Sequence, residues 1–454
     1  MSELNPIPDL LAALQTGLLA TDEGTVASYI PELAHADRSW FGIALATLDG
    51  HVYAAGDAAT PFTIQSVSKP FVYALALADN GLDEVIKWVG VEPSGDAFNA
   101  IRLEARTGRP RNPMVNAGAI LTASLVFGAK PAEKLDRIRA GLSLFAGREL
   151  SVDHDVFDSE ASTGDRNRAI AYLMRSAGSL HADVEDTLSV YFQQCAIRVD
   201  ARDVAVMAAT LANAGVNPIT GVTVVSPDVA AHVLTVMATC GMYDFAGEWL
   251  MRVGLPAKSG VSGGIAAALP GQFGIGLFSP PLDARGNSVR GIAACEELSA
   301  RFGLHLMQSP QASVPALPTV TTARTTRSDV ERDRTEREVL TRSGGAISIR
   351  TVLGDLGFAT AERLVREVCD NREGVSWVVL DLDRVGRLHP VAKRLLDTLA
   401  ARLDEADVTI VVVDGSERGL LFYPAQQFTS RNEALAWCED ALLAAGRRTV
   451  GGSR

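Results

Sequence analysis

The pattern of hydrophobic and polar residues predicts a first domain of mixed α and β structure over residues 1–308. Near its start, WFGIALATL and HVYAAG are short and rich in apolar residues, which is typical of paired strands. Longer Ala- and Leu-rich segments such as KPFVYALALADNGL and RNRAIAYLMRSAG predict helices. Strand-like sequence returns in GGIAAALPGQFGIGLFSPPL. This order indicates an α+β fold, in which a sheet takes strands from both ends of the domain and a helical cluster is inserted between them.

The next stretch, residues 309–338, has a different composition. It is rich in Pro, Ser, Thr and charged residues, and few of its side chains could be buried in a core. Packing would therefore not offset the entropy lost on ordering it. We expect a flexible linker over these residues.

Residues 339–454 predict a second, smaller domain in which strands and helices alternate. The strand-like segments GAISIRTVL, VSWVVLDL and VTIVVV are separated by helix-like segments, including FATAERLVREVCDN and VAKRLLDTLAARL. A last helix is predicted around NEALAWCEDALLAAG. Such alternation is typical of a small α/β domain with an open, partly parallel sheet.

Composition narrows the possible functions. The chain of 454 residues is 47% hydrophobic and 21% charged, as in soluble globular proteins, and its formal charge of -12 argues against electrostatic binding of nucleic acid. Its five cysteines form no C-x-x-C pair, which favours reduced thiols in the cytosol. We see neither a signal peptide nor an apolar run of membrane-spanning length. We therefore expect a cytoplasmic protein with no membrane or nucleic-acid partner.

The first candidate for chemistry is the S-x-x-K sequence Ser66-Val67-Ser68-Lys69, at the start of a predicted helix. Residues three apart share a helix face, so the Ser66 hydroxyl and the Lys69 amine would meet. Serine becomes a nucleophile when a base takes its proton. Lysine can be that base only if burial or a nearby cation lowers its pKa. Because serine and lysine are common, the motif alone does not establish a catalytic site.

A second motif supports the first. Lys258-Ser259-Gly260 resembles the K-[ST]-G element that accompanies S-x-x-K in penicillin-recognising enzymes. On an edge strand, this segment would bring a second cation towards Lys69. The backbone N–H groups of Val261 and Ser66 would then offer two donors to an oxyanion. The alternative is a glycine-rich turn with a solvated lysine.

Other motifs carry less weight. Gly260-Val261-Ser262-Gly263-Gly264 matches the G-x-S-x-G nucleophile elbow, which needs a buried strand before it and a helix after it. The preceding RVGLPAKS contains a proline and does not predict a buried strand, so we interpret Ser262 as a turn residue. The seven histidines form no zinc motif, and no Gly-Lys pair indicates a phosphate loop. We expect no metal and no cofactor.

Five segments together resemble the serine-dependent glutaminase family of the penicillin-recognising, β-lactamase-like superfamily. They cover most of residues 25–307 and are FTIQSVSKPF, NPMVNAGAI, SEASTGDRNRAIAYLMRS, YFQQCAI and GMYDFAGEWLMRVGLPAKSGVSGGI. The resemblance implies an antiparallel sheet with a helical cluster, hydrolysis of L-glutamine to L-glutamate and ammonia, and a dimer or tetramer. One departure is Ser262, where the family usually has glycine.

The resemblance also implies roles for individual residues. Ser66 would be the acyl-accepting nucleophile, Lys69 its general base, and Tyr191 a neighbour that helps to move a proton to the departing ammonia. Val261 would supply the second oxyanion N–H. Besides Ser66, Tyr191 and Val261, the residues that would bind glutamine are Asn116, Glu160, Asn167 and Tyr243. Glu160 suits the substrate ammonium, and amide and hydroxyl donors suit its carboxylate.

Each of these residues also has a structural interpretation. Glu160 and Asn167 are residue types found in the first turns and caps of helices, and Tyr191 and Tyr243 would be ordinary core aromatics. The surrounding motifs favour the functional interpretation, most strongly for Ser66 and Lys69.

Residues from about 340 to 445 resemble a STAS domain, the fold of anti-sigma-factor antagonists. The resemblance rests on VVLDLDRVGRLHPVAKRLL, in which Pro390 occupies the usual phosphorylatable serine position, with His389 before it. Proline has no hydroxyl, so a phosphoserine switch is not expected there. We predict a non-catalytic interaction or regulatory domain with an unidentified partner or ligand.

Two alternatives to a glutaminase remain open at this point. One is a β-lactamase or peptidase of the same superfamily, against which the glutamine-binding residues argue. The other is a sensor that binds glutamine without turnover and signals through the C-terminal domain. The presence of both Ser66 and Lys69 favours an enzyme.

Overall fold

The computed structural model describes residues 4–28, 30–95, 100–307, 319–415 and 425–451, and the side chains of 446–451 are not included. The chain divides into two compact units. The larger consists of Pro8–Ala300 and Leu304–Met307. The smaller consists of Met1–Ile7, Arg301–Gly303 and Gln308–Arg454. The first residues therefore group with the C-terminal part, where Arg402 donates to the backbone oxygen of Asn5 at 3.0 Å.

The larger unit contains a five-stranded sheet that is antiparallel throughout. Its strands lie in the order β2-β1-β7-β6-β5 and are β1 (Gly42–Thr47), β2 (Val52–Gly56), β5 (Ala257–Ser259), β6 (Gly264–Leu269) and β7 (Phe273–Phe278). Strands β3 (Phe62–Thr63) and β4 (Arg198–Val199) form a separate antiparallel pair. The predicted α+β sheet, with strands from both ends of the domain, is confirmed.

The chain between β3 and β5 is mostly helical, as the sequence predicts, with the two-residue strand β4 among the helices. The helices from the N-terminus to the middle of the chain are α1 (Ile7–Leu18), α2 (Lys69–Asn80), α3 (Leu82–Trp88), α4 (Asn116–Leu125), α5 (Pro131–Ala146) and α6 (His154–Thr163). Those that follow are α7 (Asp165–Ser176), α8 (Val184–Cys195), α9 (Ala201–Ala212), α10 (Pro227–Cys240), α11 (Ala246–Arg252) and α12 (Val289–Phe302).

Two glycines explain how α9 packs directly on the sheet. A Cβ atom at Gly276 of β7 would lie 2.0 Å from the backbone oxygen of Ala201. One at Gly274 would lie 2.2 Å from the backbone oxygen of Ala205. Any side chain at these positions would push the helix away, so the alternating glycines of FGIGLF set the distance between α9 and β7.

The smaller unit contains a mixed five-stranded sheet in the order β14-β13-β11-β9-β8. Its strands are β8 (Thr319–Thr322), β9 (Ile347–Thr351), β11 (Trp377–Asp381), β13 (Thr409–Val413) and β14 (Gln426–Phe428), and β10 (Gly354–Leu356) pairs with β12 (Val385–Leu388). Only β8 runs antiparallel to its neighbour. The helices are α13 (Arg334–Ser343), α14 (Phe358–Asp370), α15 (Pro390–Glu405) and α16 (Arg431–Gly451). The predicted small α/β pattern is confirmed.

The predicted flexible linker over residues 309–338 is wrong for residues 319–338. Strand β8 pairs with β9, and Ala323 after it is fully buried in the core of the smaller unit. Helix α13 then begins at Arg334, with a capping box formed by Asp333 and Glu336. Residues 309–318 lie outside the described residues.

The polar composition of this segment led to a wrong prediction of flexibility, because its polar and charged side chains bond to residues far along the chain. Arg332 is 3.2 Å from a carboxylate oxygen of Glu439 and 2.5 Å from one of Asp440, both on α16. The Ser328 hydroxyl and backbone N–H both donate to Glu439. These bonds stabilise a segment that buries little apolar surface.

All five cysteines are buried and free of disulfides. No single helix of the described residues meets the length and hydropathy needed to cross a membrane. One pair of helices, Pro227–Cys240 and Tyr243–Arg252, meets these length and hydropathy measures when taken together, but the pair is bent by 83°.

His389 caps the start of α15 by accepting a hydrogen bond from the N–H of Val391.

Candidate active site

Ser66 lies in a short 3₁₀ helix, Gln65–Ser68, that leads directly into α2 at Lys69. The expected α-helical start is therefore corrected to a 3₁₀ turn, in which residues three apart eclipse one another. Gln65 has a positive φ of 48°, a conformation that non-glycine residues rarely adopt. The Ser68 hydroxyl holds this turn by donating to the Gln65 oxygen at 2.7 Å and accepting from Gln194 at 2.9 Å.

The Lys69 amine is buried and donates to two oxygens. Its Nζ lies 2.7 Å from Oδ1 of Asn116 and 3.2 Å from the backbone oxygen of Met114. Burial lowers the pKa of Lys69 to about 7, although the charges of Cys195 and Glu160 oppose the shift. Near neutral pH a substantial fraction of Lys69 is therefore the unprotonated amine that can act as a base.

Lys258 lies on β5, the edge strand of the sheet, and is fully buried. Its Nζ donates to the backbone oxygen of Ser259 and lies 3.8 Å from the centroid of the Tyr243 ring. The Lys69 Nζ lies 5.5 Å from the same centroid. Burial, and then the charge of Lys69, hold the pKa of Lys258 well below its usual range. The edge-strand prediction is confirmed, and the alternative of a solvated lysine is wrong.

A buried tyrosine, Tyr191, and a half-buried one, Tyr243, flank the serine and the lysine. Tyr243 begins a 3₁₀ helix with a positive φ of 57°, and its hydroxyl is hydrogen-bonded to Ser66. Tyr191 on α8 is 2% exposed and hydrogen-bonded to the thiol of Cys195, one helical turn further on. Burial raises the pKa of both tyrosines, so both hydroxyls stay protonated near neutral pH.

A cavity of about 130 Å³ opens beside Ser66. It brings together five of the residues predicted from the sequence, namely Ser66, Asn116, Glu160, Asn167 and Tyr191. The other lining residues are Ile30, Gln65, Thr163, Gly164 and Arg166. The cavity is thus lined mostly by polar residues and joins parts of the sequence from Ile30 to Tyr191.

Hydrogen bonds connect the polar residues of this cavity. Asn116 accepts from Lys69 and donates through Nδ2 to Oδ1 of Asn167 at 2.9 Å. Gln65 donates to Oε2 of Glu160 at 3.4 Å. Burial raises the pKa of Glu160 to about 8, against the opposing effects of Gln65 and Lys69. A cation bound here would restore the charge of the Glu160 carboxylate.

Val261 and Ser262 form the turn between β5 and β6, closed by a hydrogen bond from Gly260 N to Gly264 O at 2.9 Å. Ser262 is thus a turn residue, as predicted. The prediction that no buried strand precedes Ser262 is wrong, because residues 257–259 form one. The nucleophile elbow is still ruled out, because a strand rather than a helix follows Ser262. Val261 lines a neighbouring cavity of about 230 Å³ rather than the one beside Ser66.

Comparison with known proteins identifies the family. The sequence model described as glutaminase matches residues 24–307. The chain belongs to the glutaminase family. It is 46% identical to Glutaminase 2 of Bradyrhizobium diazoefficiens over 434 residues, which is 92% of this chain and 69% of that protein.

Two further relatives differ in how much of this chain they match. The glutaminase of Trichormus variabilis is 53% identical over 304 residues, which is 67% of this chain and 91% of that protein, so the C-terminal unit has no full counterpart in it. The crystal structure of Mglu in its glutamate form is 41% identical, has a TM-score of 0.66, and covers 91% of this chain and 99% of its own. The C-terminal unit therefore accompanies some glutaminases and not others.

Several cavity residues were missed by sequence reasoning. Gln65 is next to Ser66, and only its position beside the motif hinted at a role. Arg166 and Thr163 fall within the segment SEASTGDRNRAIAYLMRS, where no local pattern distinguishes them from helix-surface residues. Among the residues that the structure describes, no group of three His, Cys, Asp or Glu side chains could hold a metal ion.

Gly260 determines how closely the turn of Val261 and Ser262 approaches the Ser66 helix. A Cβ atom there would lie 3.1 Å from Cγ2 of Val67 and 3.2 Å from the backbone oxygen of Ile64. Gly260→Ala should push the turn away from Ser66 and lower kcat for glutamine by roughly 10- to 100-fold, since small misplacements are costly to catalysis. Gly247→Ala, which would meet nothing within 4 Å, is the matched control. Equal kcat values for the two variants would contradict this role of Gly260.

Proposed function

We propose that this glutaminase hydrolyses L-glutamine to L-glutamate and ammonia through an acyl-enzyme on Ser66, with Lys69 as general base. The observation that carries the proposal is the buried Lys69 amine, with its pKa of about 7, three residues from a serine that opens onto a polar cavity. A base with a pKa near the working pH is the most effective at neutral pH.

The proposed cycle has two steps. Lys69 takes the proton of the Ser66 hydroxyl, and the Ser66 oxygen attacks the side-chain amide carbon of glutamine. The N–H groups of Ser66 and Val261 would hold the resulting oxyanion. The C–N bond then breaks, and the proton reaches the leaving ammonia with the help of Tyr191. Water hydrolyses the acyl-enzyme by the reverse proton path, which releases glutamate and restores Ser66.

The other cavity residues would bind the amino-acid end of the substrate. Glu160 would pair with the α-ammonium, and a cation beside this buried carboxyl favours its ionised form. Asn116, Asn167 and Tyr243 would hold the substrate through amide and hydroxyl donors. Support for this assignment comes from the shared cavity of Ser66, Asn116, Glu160 and Asn167, and from the hydrogen bond between Tyr243 and Ser66.

Ammonia release by the purified full chain tests the proposal. We expect release from L-glutamine, weaker release from L-asparagine, and no hydrolysis of nitrocefin. The difference between the two amino acids is one methylene, worth about 1–3 kcal/mol of discrimination. Nitrocefin hydrolysis without ammonia release would instead identify a β-lactamase. Tight glutamine binding without ammonia release would identify a sensor.

The pH dependence follows from two buried groups. Lys69 must be neutral to act as a base, so kcat should rise as the pH increases through about 7. Glu160 must be ionised to pair with the substrate, so KM should fall as the pH increases through about 8. Both effects raise kcat/KM with pH, and initial rates from about pH 5.5 to about pH 9 would separate them. A kcat that declines across the neutral range would exclude Lys69 as the base.

Glu160→Gln should mainly weaken substrate binding. The substitution keeps the shape of the side chain but removes the charge proposed to pair with the ammonium. We expect KM to increase by roughly 10- to 100-fold, the effect of losing one charge-assisted hydrogen bond, with a smaller change in kcat. Glu149→Gln serves as a control because the Glu149 side chain is 87% exposed. A loss confined to kcat would assign Glu160 to proton transfer instead.

We also propose that the C-terminal unit is a STAS-like interaction or regulatory domain without catalytic residues. Its alternating strands and helices support this, as does the absence of a full counterpart in the Trichormus variabilis glutaminase. Pro390 is the first residue of α15 and offers no hydroxyl for phosphorylation.

The free, buried cysteines support a cytoplasmic protein. The family resemblance supports a dimer or tetramer, which light scattering would measure.

A further inference from the structure

The smaller unit contains a buried arginine on the face of the sheet opposite the hydrophobic cluster that includes Ile347 and Ile349. Ile347 and Ile349 of β9 belong to the hydrophobic core. Successive residues of a strand point to opposite faces, so Arg350 lies on the other face. Its neighbours across the sheet are Val320 on β8 and Leu380 on β11, both apolar. Arg350 is nevertheless only 2% exposed.

The guanidinium of Arg350 has donors without acceptors. Its Nε and Nη1 atoms are buried and have no hydrogen-bond partner among the described residues. Burial lowers the pKa of Arg350, and only the charge of Glu367 opposes the shift. Glu367 is itself engaged by Arg363, whose Nε lies 3.1 Å away. A buried charge without hydrogen bonds destabilises the folded state.

Arg350 lines an open cavity of about 850 Å³. Its charged lining residues are Arg324, Arg350, Glu367 and Glu373. Hydroxyl and amide groups complete the polar lining, from Thr322, Ser343, Ser348 and Asn371. Arg324 contributes a second guanidinium at the rim, packed against Gly345, where a Cβ atom would lie 3.0 Å from its Nη2.

We propose that this cavity binds a small oxyanion, a carboxylate or phosphate group, through the N–H donors of Arg350 that have no partner among the described residues. Guanidinium groups hold such anions by strong, charge-assisted hydrogen bonds. Arg324 and the hydroxyls of Ser348 and Thr322 complement the same chemistry. The two glutamates in the lining oppose a large polyanion such as nucleic acid, so the ligand is a small molecule. This site lies within the smaller unit and does not depend on the proposed catalytic cycle.

Calorimetric titration of the full chain at low salt tests the site, with inorganic phosphate and acetate as separate probes. We expect at least one probe to bind, and its affinity to fall at least about tenfold in Arg350→Met. Arg324→Gln should weaken binding to a smaller extent. Arg337→Gln, an exposed arginine outside the cavity, should bind like the unchanged protein. The stronger probe identifies the type of oxyanion.

Thermal unfolding distinguishes a binding role from a structural role. Because Arg350→Met removes an unpaired buried charge, its Tm in anion-free buffer should equal or exceed that of the unchanged chain. Added anion should raise the Tm of the unchanged chain but not that of Arg350→Met. The proposal is overturned if neither probe binds, or if Arg350→Met binds as well as the unchanged chain. A lower Tm for Arg350→Met with an intact anion response would make Arg350 structural. If Arg350→Met does not fold, Arg324→Gln at the exposed rim provides the test instead.

Discussion

Ser66→Ala should lower kcat for L-glutamine by at least about 10⁴-fold while leaving the fold and the cavity in place. The substitution removes the only atom proposed to bond with the substrate. Residual activity would come from the oxyanion donors and from substrate positioning. Ser66 is 7% exposed and small, so its loss creates little empty volume. Ammonia release under saturating glutamine measures the effect.

Two controls make this result specific. Ser124→Ala removes a part-buried hydroxyl from α4 that donates to the backbone oxygen of Leu121, and it should not change kcat. Binding of L-glutamate by the Ser66→Ala variant should persist, because the residues that hold the amino-acid end remain. Full ammonia release by Ser66→Ala would exclude the acyl-enzyme on Ser66.

Lys69→Met should lower kcat by about 10³-fold or more, since it removes the general base from an activated serine. Methionine fits the buried apolar stem of Lys69 but leaves Oδ1 of Asn116 and the backbone oxygen of Met114 without a donor. We therefore expect some loss of stability as well. The remaining activity should no longer show the rise in kcat near pH 7 that belongs to Lys69.

Lys134→Met is the matched control for the stability component. Lys134 is part-buried, whereas Lys69 is fully buried, and the Lys134 Nζ likewise donates to two oxygens, the backbone oxygens of Ser124 and Val126, at 2.6 Å each. Its pKa is likewise lowered by burial. This variant should lose stability but keep the kcat of the folded protein. Similar losses of kcat in both variants would mean that Lys69 acts through stability rather than through proton transfer.

Burial explains why Lys69 can stay neutral, and a second buried lysine lies close to it. Lys258 and Lys69 approach the Tyr243 ring at 3.8 Å and 5.5 Å, and neither amine is exposed to water. The charge of Lys69 lowers the pKa of Lys258 further, because a like charge in a buried site opposes protonation. The S-x-x-K and K-S-G motifs therefore form one electrostatic unit, although about 190 residues separate them in the sequence.

Residues 319–338 show that composition alone did not predict whether a segment is ordered. A segment rich in Thr, Arg and Asp predicts disorder when it is considered alone. Here Arg332 and Ser328 bond to Glu439, more than 100 residues away. The sequence pattern cannot reveal these bonds, because both partners are typical surface residues and no local period connects them.

The sequence by itself determined the glutaminase resemblance, the α+β order of elements and the two catalytic motifs, because these depend on local patterns and on fixed spacing. Only the tertiary structure decided that Ser66 lies on a 3₁₀ turn and that residues 319–338 belong to the smaller unit. It also revealed that Arg350 lines a cavity and that its buried Nε and Nη1 atoms have no hydrogen-bond partner among the described residues. These features depend on burial and on contacts between distant residues, and burial is what lowers the pKa of Lys69 and of Arg350.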